Sequence, residues 1–183
     1  VPGFPYMVGA DAWASLPLVT FDMLKEFDRP YVNLLNEKTQ MAAPFCSGGY
    51  WGIRYLNGAD REELLDYTIA IGGGILYAYD PDPDILGPEY YRKAADERGV
   101  PLLLSVMNTA LETGTVEDAI NYVKRFVLAG KNGKTCFQLN FSNIGPGLSP
   151  EKVKIVIDAA RFYGRTDTTE DSVYEIPEHV ESF

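Results

Sequence analysis

Apolar residues gather in five short runs: Tyr6 to Ala10, Met41 to Phe45, Ile75 to Tyr79, Leu102 to Val106 and Cys136 to Phe141. Each run stops at polar or glycine-rich residues and gives way to a segment of helical period. Strands alternating with helices of roughly 10–15 residues predict βαβ units and a parallel sheet. The first helix is expected to open at Thr20 as N-cap, to turn Phe21, Leu24, Phe27, Val32 and Leu35 inward, and to be disturbed at Pro30. A second is predicted from Asp60, with Glu63 completing a capping-box-like pair, to the glycines Gly72, Gly73 and Gly74. The third takes Pro88 into its first turn and ends near Gly99. The fourth spans Thr115 to Gly130 with Ala119, Ile120, Val123, Phe126 and Val127 as its buried stripe. The fifth has Ser149 as cap, Pro150 at its first position, Val153, Val156, Ile157 and Ala160 inward, and Gly164 as its end.

After Gly164 neither periodicity continues. The segment 165–183 is acidic and reads as an extended C-terminal arm, or as an arm that wraps a neighbouring subunit through Val173, Tyr174, Ile176 and Phe183. Residues 1–164 therefore form one α/β domain and 165–183 an appended tail. A closed eight-unit barrel needs about 250 residues, and about 200 at the least. At 183 residues the chain fits five or so units of such a barrel, or else a small open sheet. The start at Val1, within a Pro- and Gly-rich stretch and without Met, is expected of a truncated or split chain.

Composition narrows the function classes. With 46% hydrophobic and 13% aromatic residues a packed core is expected. The net charge of −10 and the lack of any Lys/Arg cluster argue against nucleic acid as a partner. No apolar stretch reaches the 18 or more residues of a membrane span. The two cysteines, Cys46 and Cys136, show no metal-type spacing, and a soluble, reducing, cytoplasmic setting is expected.

In parallel α/β folds ligands bind at the carboxyl ends of the strands. Residues just beyond the apolar runs are thus the candidates: Asp11 and Trp13, then Cys46, Ser47, Gly48 and Gly49, then Asp80, Asp82 and Asp84. Met107, Asn108 and Thr109 follow the fourth run, and Asn140, Ser142, Asn143, Gly145 and Gly147 the fifth. The segment Asp80-Pro81-Asp82-Pro83-Asp84 can coordinate a hard cation or protonate a substrate, or it is a stiff, extended, solvated loop. Asp80, nearest the strand end, is the leading candidate, with Asp11 and Asn108 as further catalytic candidates. Cys46 reads as a nucleophile, a metal ligand or a packed rim residue; the sole histidine, His179, lies far off in the tail. Tyr77 and Tyr79 share one face of their strand, directed either at a substrate or at the helices. Gly145, Pro146 and Gly147 precede a capped helix, which suits an anion at a helix N-terminus or an ordinary turn.

Several pieces, in order, carry a family resemblance. They are Ala12-Trp13-Ala14-Ser15-Leu16-Pro17-Leu18-Val19-Thr20, Pro44-Phe45-Cys46-Ser47-Gly48, Ala95-Asp96-Glu97-Arg98-Gly99-Val100-Pro101, Thr113-Gly114-Thr115, and Asn143-Ile144-Gly145-Pro146-Gly147-Leu148-Ser149-Pro150-Glu151. Over about Gly9 to Gly164 the chain resembles the uroporphyrinogen decarboxylase-like superfamily. The resemblance implies the C-terminal units of a (β/α)8 TIM barrel. It also implies one of two chemistries: cofactor-free decarboxylation of a porphyrinogen, or methyl transfer between a corrinoid and a thiol or other acceptor. The methyl-transfer branch commonly binds zinc through a His-x-Cys pair and a later Cys. Those positions fall on Pro44, Cys46 and about Ser142, so two of three ligands are absent and only Cys46 is left as a metal-ligand candidate. The Arg and Asp residues that hold substrate in the decarboxylases lie, by the same resemblance, in an amino-terminal portion outside this chain.

The resemblance leans toward methyl transfer with a corrinoid carried by a separate protein. Asp80, Asp11 and Asn108 are then the catalytic candidates, and Tyr77, Tyr79, Trp13, Asn140, Ser142, Gly145 and Gly147 the substrate-binding ones. A tetrapyrrole decarboxylase is the alternative. A non-catalytic barrel-half subunit, completed by another chain, is the third. All three imply an amino-terminal barrel portion on the same or a separate chain, and an oligomer.

Overall fold

A computed structural model describes residues 7–10, 15–39, 45–48, 51–141 and 144–177, with the backbone alone for the strands at 7–10 and 45–48. The alternation predicted from the sequence is present. In chain order come β1 (Met7–Ala10), α1 (Phe21–Met23), a π-helical segment Leu24–Asp28, α2 (Arg29–Thr39), β2 (Phe45–Gly48), a 3-10 turn Ile53–Tyr55 and α3 (Gly58–Ile71). Then follow β3 (Leu76–Ala78), α4 (Asp82–Leu86), α5 (Pro88–Arg98), β4 (Leu102–Val106), α6 (Asn108–Thr113), α7 (Val116–Lys131), β5 (Phe137–Phe141) and α8 (Pro150–Tyr163). All pairings among the described residues are parallel, in two sheets, β1-β2 and β3-β4-β5. The fold is α/β. The second strand lies at the carboxyl end of the predicted run, because pairing sets Phe45 opposite Met7 and carries on to Gly48.

Alternation along the strands sorts the sheet into two faces. Leu76, Ala78, Leu102, Leu104 and Val106 join one core with Leu64 and Leu65 of α3, Tyr91 and Ala95 of α5, Ala119, Val123 and Phe126 of α7, and Val156 and Ala159 of α8. Helix α7 approaches β5 so closely that a Cβ on Gly130 would overlap the Phe137 ring. Only glycine fits there, and the predicted fourth helix ends one residue later, at Lys131. The predicted stripe of α7 is buried at every position. Its start is fixed by a capping box in which Thr115 and Asp118 exchange hydrogen bonds.

Three helix expectations need correction. The disturbance at Pro30 takes the form of a π turn ahead of it. Arg29 N–H bonds Leu24 O five residues back, and Pro30 has no N–H to continue an α ladder. The wider turn rotates the helix, so Leu24 and Val32 are buried while Phe27 and Leu35 are 52% and 42% exposed. Helix α3 starts at Gly58, with Asn57 at the N-cap and no side-chain cap, so Asp60 and Glu63 form no capping box. Arg61 instead donates to Leu56 O and Asn57 Oδ1. On α8 the buried set is Ile155, Val156, Ala159 and Tyr163, and Ile157 is only half-buried.

The tail folds back on its own domain as far as it is described. Lys131 Nζ donates to the carbonyls of Arg165 and Thr168 and to Thr168 Oγ1, each at 2.7 Å. Seven residues earlier on the same helix, Lys124 Nζ donates to Glu170 O and Ser172 O. Tyr174 packs against Phe162, and its N–H donates to Tyr163 Oη. Val173 and Ile176 remain exposed; His179 and Phe183 lie outside the described residues. No described helix is long and apolar enough to cross a membrane.

Candidate functional site at the strand carboxyl ends

The acidic segment after β3 is neither extended nor solvated. Asp82 and Asp84 fall in the short helix α4, and Asp82 is only 2% exposed. Its Oδ2 accepts from Ile53 N at 2.6 Å and its Oδ1 pairs with the Arg54 guanidinium. Arg54 also lies over the Tyr55 ring, 4.3 Å from its centroid. The segment after β2 is thereby tied to the segment after β3. Burial pushes the Asp82 carboxyl up, and Arg54 and the Ile53 N–H hold it back.

Asp84 meets a different environment. Tyr122 of α7 donates to Asp84 Oδ1 at 2.8 Å and accepts from Met107 N at 2.8 Å, so one hydroxyl links the ends of β3 and β4. Asp84 Oδ2 is buried and has no hydrogen-bond partner among the described residues. Burial pushes this carboxyl above the usual aspartate range; the Tyr122 bond works against that and the charge of Asp80 adds to it. Burial likewise raises the Tyr122 phenol, beside the Asp84 carboxylate. Asp80, the leading candidate, is half-buried at the strand end and acts on this pair through its charge. Tyr122 was not legible as a site residue. It borders the apolar stripe of α7, and its only sequence signal is a hydroxyl at the edge of a buried face.

Beyond β4, Asn108 opens α6 and its Oδ1 accepts from Gly145 N at 3.0 Å. Two candidates from different strand ends are thus in contact. The Glu112 carboxylate lies against the turn at Gly145 and Gly147, and a Cβ on Gly145 would overlap both it and the Asn108 amide. An anion in this turn would meet the Glu112 charge. Ser149 caps α8 by accepting from Lys152 N at 3.2 Å, and Lys152 Nζ bonds Gly114 O at 2.6 Å. Asn140 Nδ2 donates to the buried Ser105 Oγ at 3.2 Å, its in-register neighbour on β4.

Tyr77 and Tyr79 stack on each other, their rings near-parallel at 5.9 Å, and the Tyr77 ring is buried against Gly72 at the end of α3. Cys46 stands in β2 opposite Val8, with its side chain outside the description. Asp11, Trp13 and Ser142 are outside the described residues. Among the described residues no three His, Cys, Asp or Glu side chains gather closely enough to hold a metal ion. No family model, no curated protein and no solved structure matches the chain.

Proposed function

We propose that the chain supplies consecutive βα units of a (β/α)8 barrel enzyme of the uroporphyrinogen decarboxylase-like superfamily. The enzyme binds a small molecule over the strand carboxyl ends and passes a methyl group between an acceptor and a corrinoid carried by a separate protein. The observation that carries the barrel reading is the order and direction of the strands. Strands β3, β4 and β5 run parallel in chain order, with the helix-packed residues of each on one face. A doubly wound sheet reverses its strand order and covers both faces, whereas a barrel keeps chain order and places its helices outside. Methyl transfer is supported by the ordered sequence pieces that resemble the family. The remaining barrel units come, on this reading, from an amino-terminal portion on the same or another chain.

The zinc common in that branch does not suit the donors present. Pro44 offers no donor side chain, and Ser142 offers a hydroxyl where a thiolate is needed.

Asp84 favours a second reading, decarboxylation. A carboxyl held toward its neutral form beside an ion-paired one is the arrangement in which one acid can give up a proton at neutral pH. The two readings separate in one experiment. Protein purified without chelator is incubated with methylcobalamin and a thiol acceptor, and in parallel with a porphyrinogen. Demethylation of the cobalamin is expected on the first reading and release of carbon dioxide on the second. Turnover of neither substrate by the chain joined with its amino-terminal barrel portion overturns both.

A further inference from the structure

Core packing accounts for one face of the helical stretch 21–39, where Leu24 and Val32 are buried. A second apolar face is not explained that way. Met23, Phe27, Tyr31 and Leu34 follow one another at spacings of four, four and three residues, so they form one stripe along the helix. Each is between 44% and 64% exposed. A large side chain presents on the order of 200 Å2 in full, so the stripe leaves uncovered roughly 400 Å2. Single exposed apolar residues are ordinary, whereas a contiguous patch of this size is commonly an interaction site. A standard interface covers about 800 Å2 per partner, a little over half of it non-polar, so the stripe supplies the apolar area that one side of a dimer needs.

The ends of the stripe carry opposite charges. Asp22, beside Met23, has its side chain 90% exposed, and the Lys25 that it reaches is shared with Glu63. Lys38, four residues beyond Leu34, has no ion-pair partner among the described residues. Reversing the stripe about its midpoint, between Pro30 and Tyr31, exchanges Phe27 with Leu34 and Met23 with Lys38. A stripe that maps onto itself in this way suits an isologous contact, in which one patch meets its own copy across a two-fold axis. We propose that this face binds the same face of a second copy of the chain, with the two helices antiparallel. Phe27 then packs on Leu34 of the second copy, and the two Tyr31 rings lie near the axis. At each end Asp22 faces Lys38 of the second copy. The contact uses none of the residues placed at the strand carboxyl ends, so it does not depend on the chemistry proposed there.

Sedimentation equilibrium of the full chain at about 0.15 M salt reads the dimer Kd with distant charges screened. Phe27→Asp, which buries a charge in the stripe twice per dimer, should raise that Kd at least about tenfold. If Phe27→Asp fails to fold by circular dichroism, Tyr31→Asp decides in its place. Asp22→Lys and Lys38→Asp should each raise the Kd about fivefold, because each reversal sets like charges together at both ends. The double variant Asp22→Lys/Lys38→Asp restores both pairs and should return to within about twofold of the parent. Val173→Asp, at a more exposed apolar position in the tail, should leave the Kd unchanged. The rescue separates this face from the edge of β5, which carries neither charge. The proposal is overturned if the chain does not self-associate, if a folded Asp variant keeps the parent Kd, or if the double reversal associates no better than the single ones. It is also overturned if joining the amino-terminal barrel portion abolishes dimerisation, since that portion is then the occupant of the face.

Discussion

Three aspartates separated by single prolines end up in three environments. The spacing in Asp80-Pro81-Asp82-Pro83-Asp84 shows an acid cluster and nothing of which acid is buried. That is decided by Ile53 and Arg54, nearly thirty residues earlier, and by Tyr122, nearly forty later. Asp82→Asn keeps an acceptor for the Ile53 N–H but strips Arg54 of its counter-charge. Since Arg54 keeps a side-chain exposure of 20%, the cost should sit at the low end for a broken buried pair, about 3 kcal/mol. It would be read as a lower urea midpoint at unchanged m-value; an unchanged midpoint would reduce the pair to a bystander. Asp84→Asn should act in the opposite direction. Burial raises the folded Asp84 carboxyl above its unfolded value, so the native state retains a proton that the unfolded chain releases. This group's contribution is therefore complete below the unfolded value, about 3.9, and is lost as pH rises through the folded one. The neutral amide keeps an acceptor for Tyr122 and avoids the loss. Asp84→Asn should be more stable than the parent at pH 7, with the gain shrinking toward pH 4. A variant less stable than the parent by the same amount at both pH values would refute it.

Elements with a start signal, a stop signal and a clean period were legible. Thr115, Ser149, Pro88 and Gly99 act where the sequence placed them, because caps and helix-ending glycines are local physics. The first helix was misread at Phe27 and Leu35, since a π turn changes the period on which the reading depends. The tail is a different case. It has no periodicity, and what orders it is a pair of lysines on another element. Lys131 and Lys124 are seven residues apart, about two turns, and so share one face of α7 over which the tail carbonyls lie. Lys131→Met keeps the aliphatic stem and removes three hydrogen bonds to the strap. With charged-donor bonds worth about 1.5–3 kcal/mol in the better cases, a loss of about 2 kcal/mol is expected. Amide exchange should quicken most around Thr168, whose hydroxyl also bonds Tyr163 O. Exchange that quickens evenly through the domain would mean that Lys131 does not hold the strap in particular.

At the scale of the whole molecule, the α/β class followed from alternation alone, while closure did not, because a sheet's neighbours are not written in the pattern of its own strands. The edge strand makes the consequence concrete. Among the described residues β5 pairs with β4 only. An unpaired parallel edge offers a row of backbone groups to another strand, and a parallel sheet is normally covered on both faces. If the chain is part of a barrel, that edge should attract a completing partner or a second copy. The 183-residue chain should then show mass above its own 20.3 kDa in native mass spectrometry, rising with concentration. Amides on the outer side of β5 should gain protection over the same range, which ties the association to the edge. Association that leaves β5 unprotected would move the interface elsewhere, for instance to the exposed Phe27 and Tyr31 on the first helical segment. A chain that stays monodisperse at 20.3 kDa over the whole range would show the open sheet to be stable as it stands, and would count against the barrel reading itself.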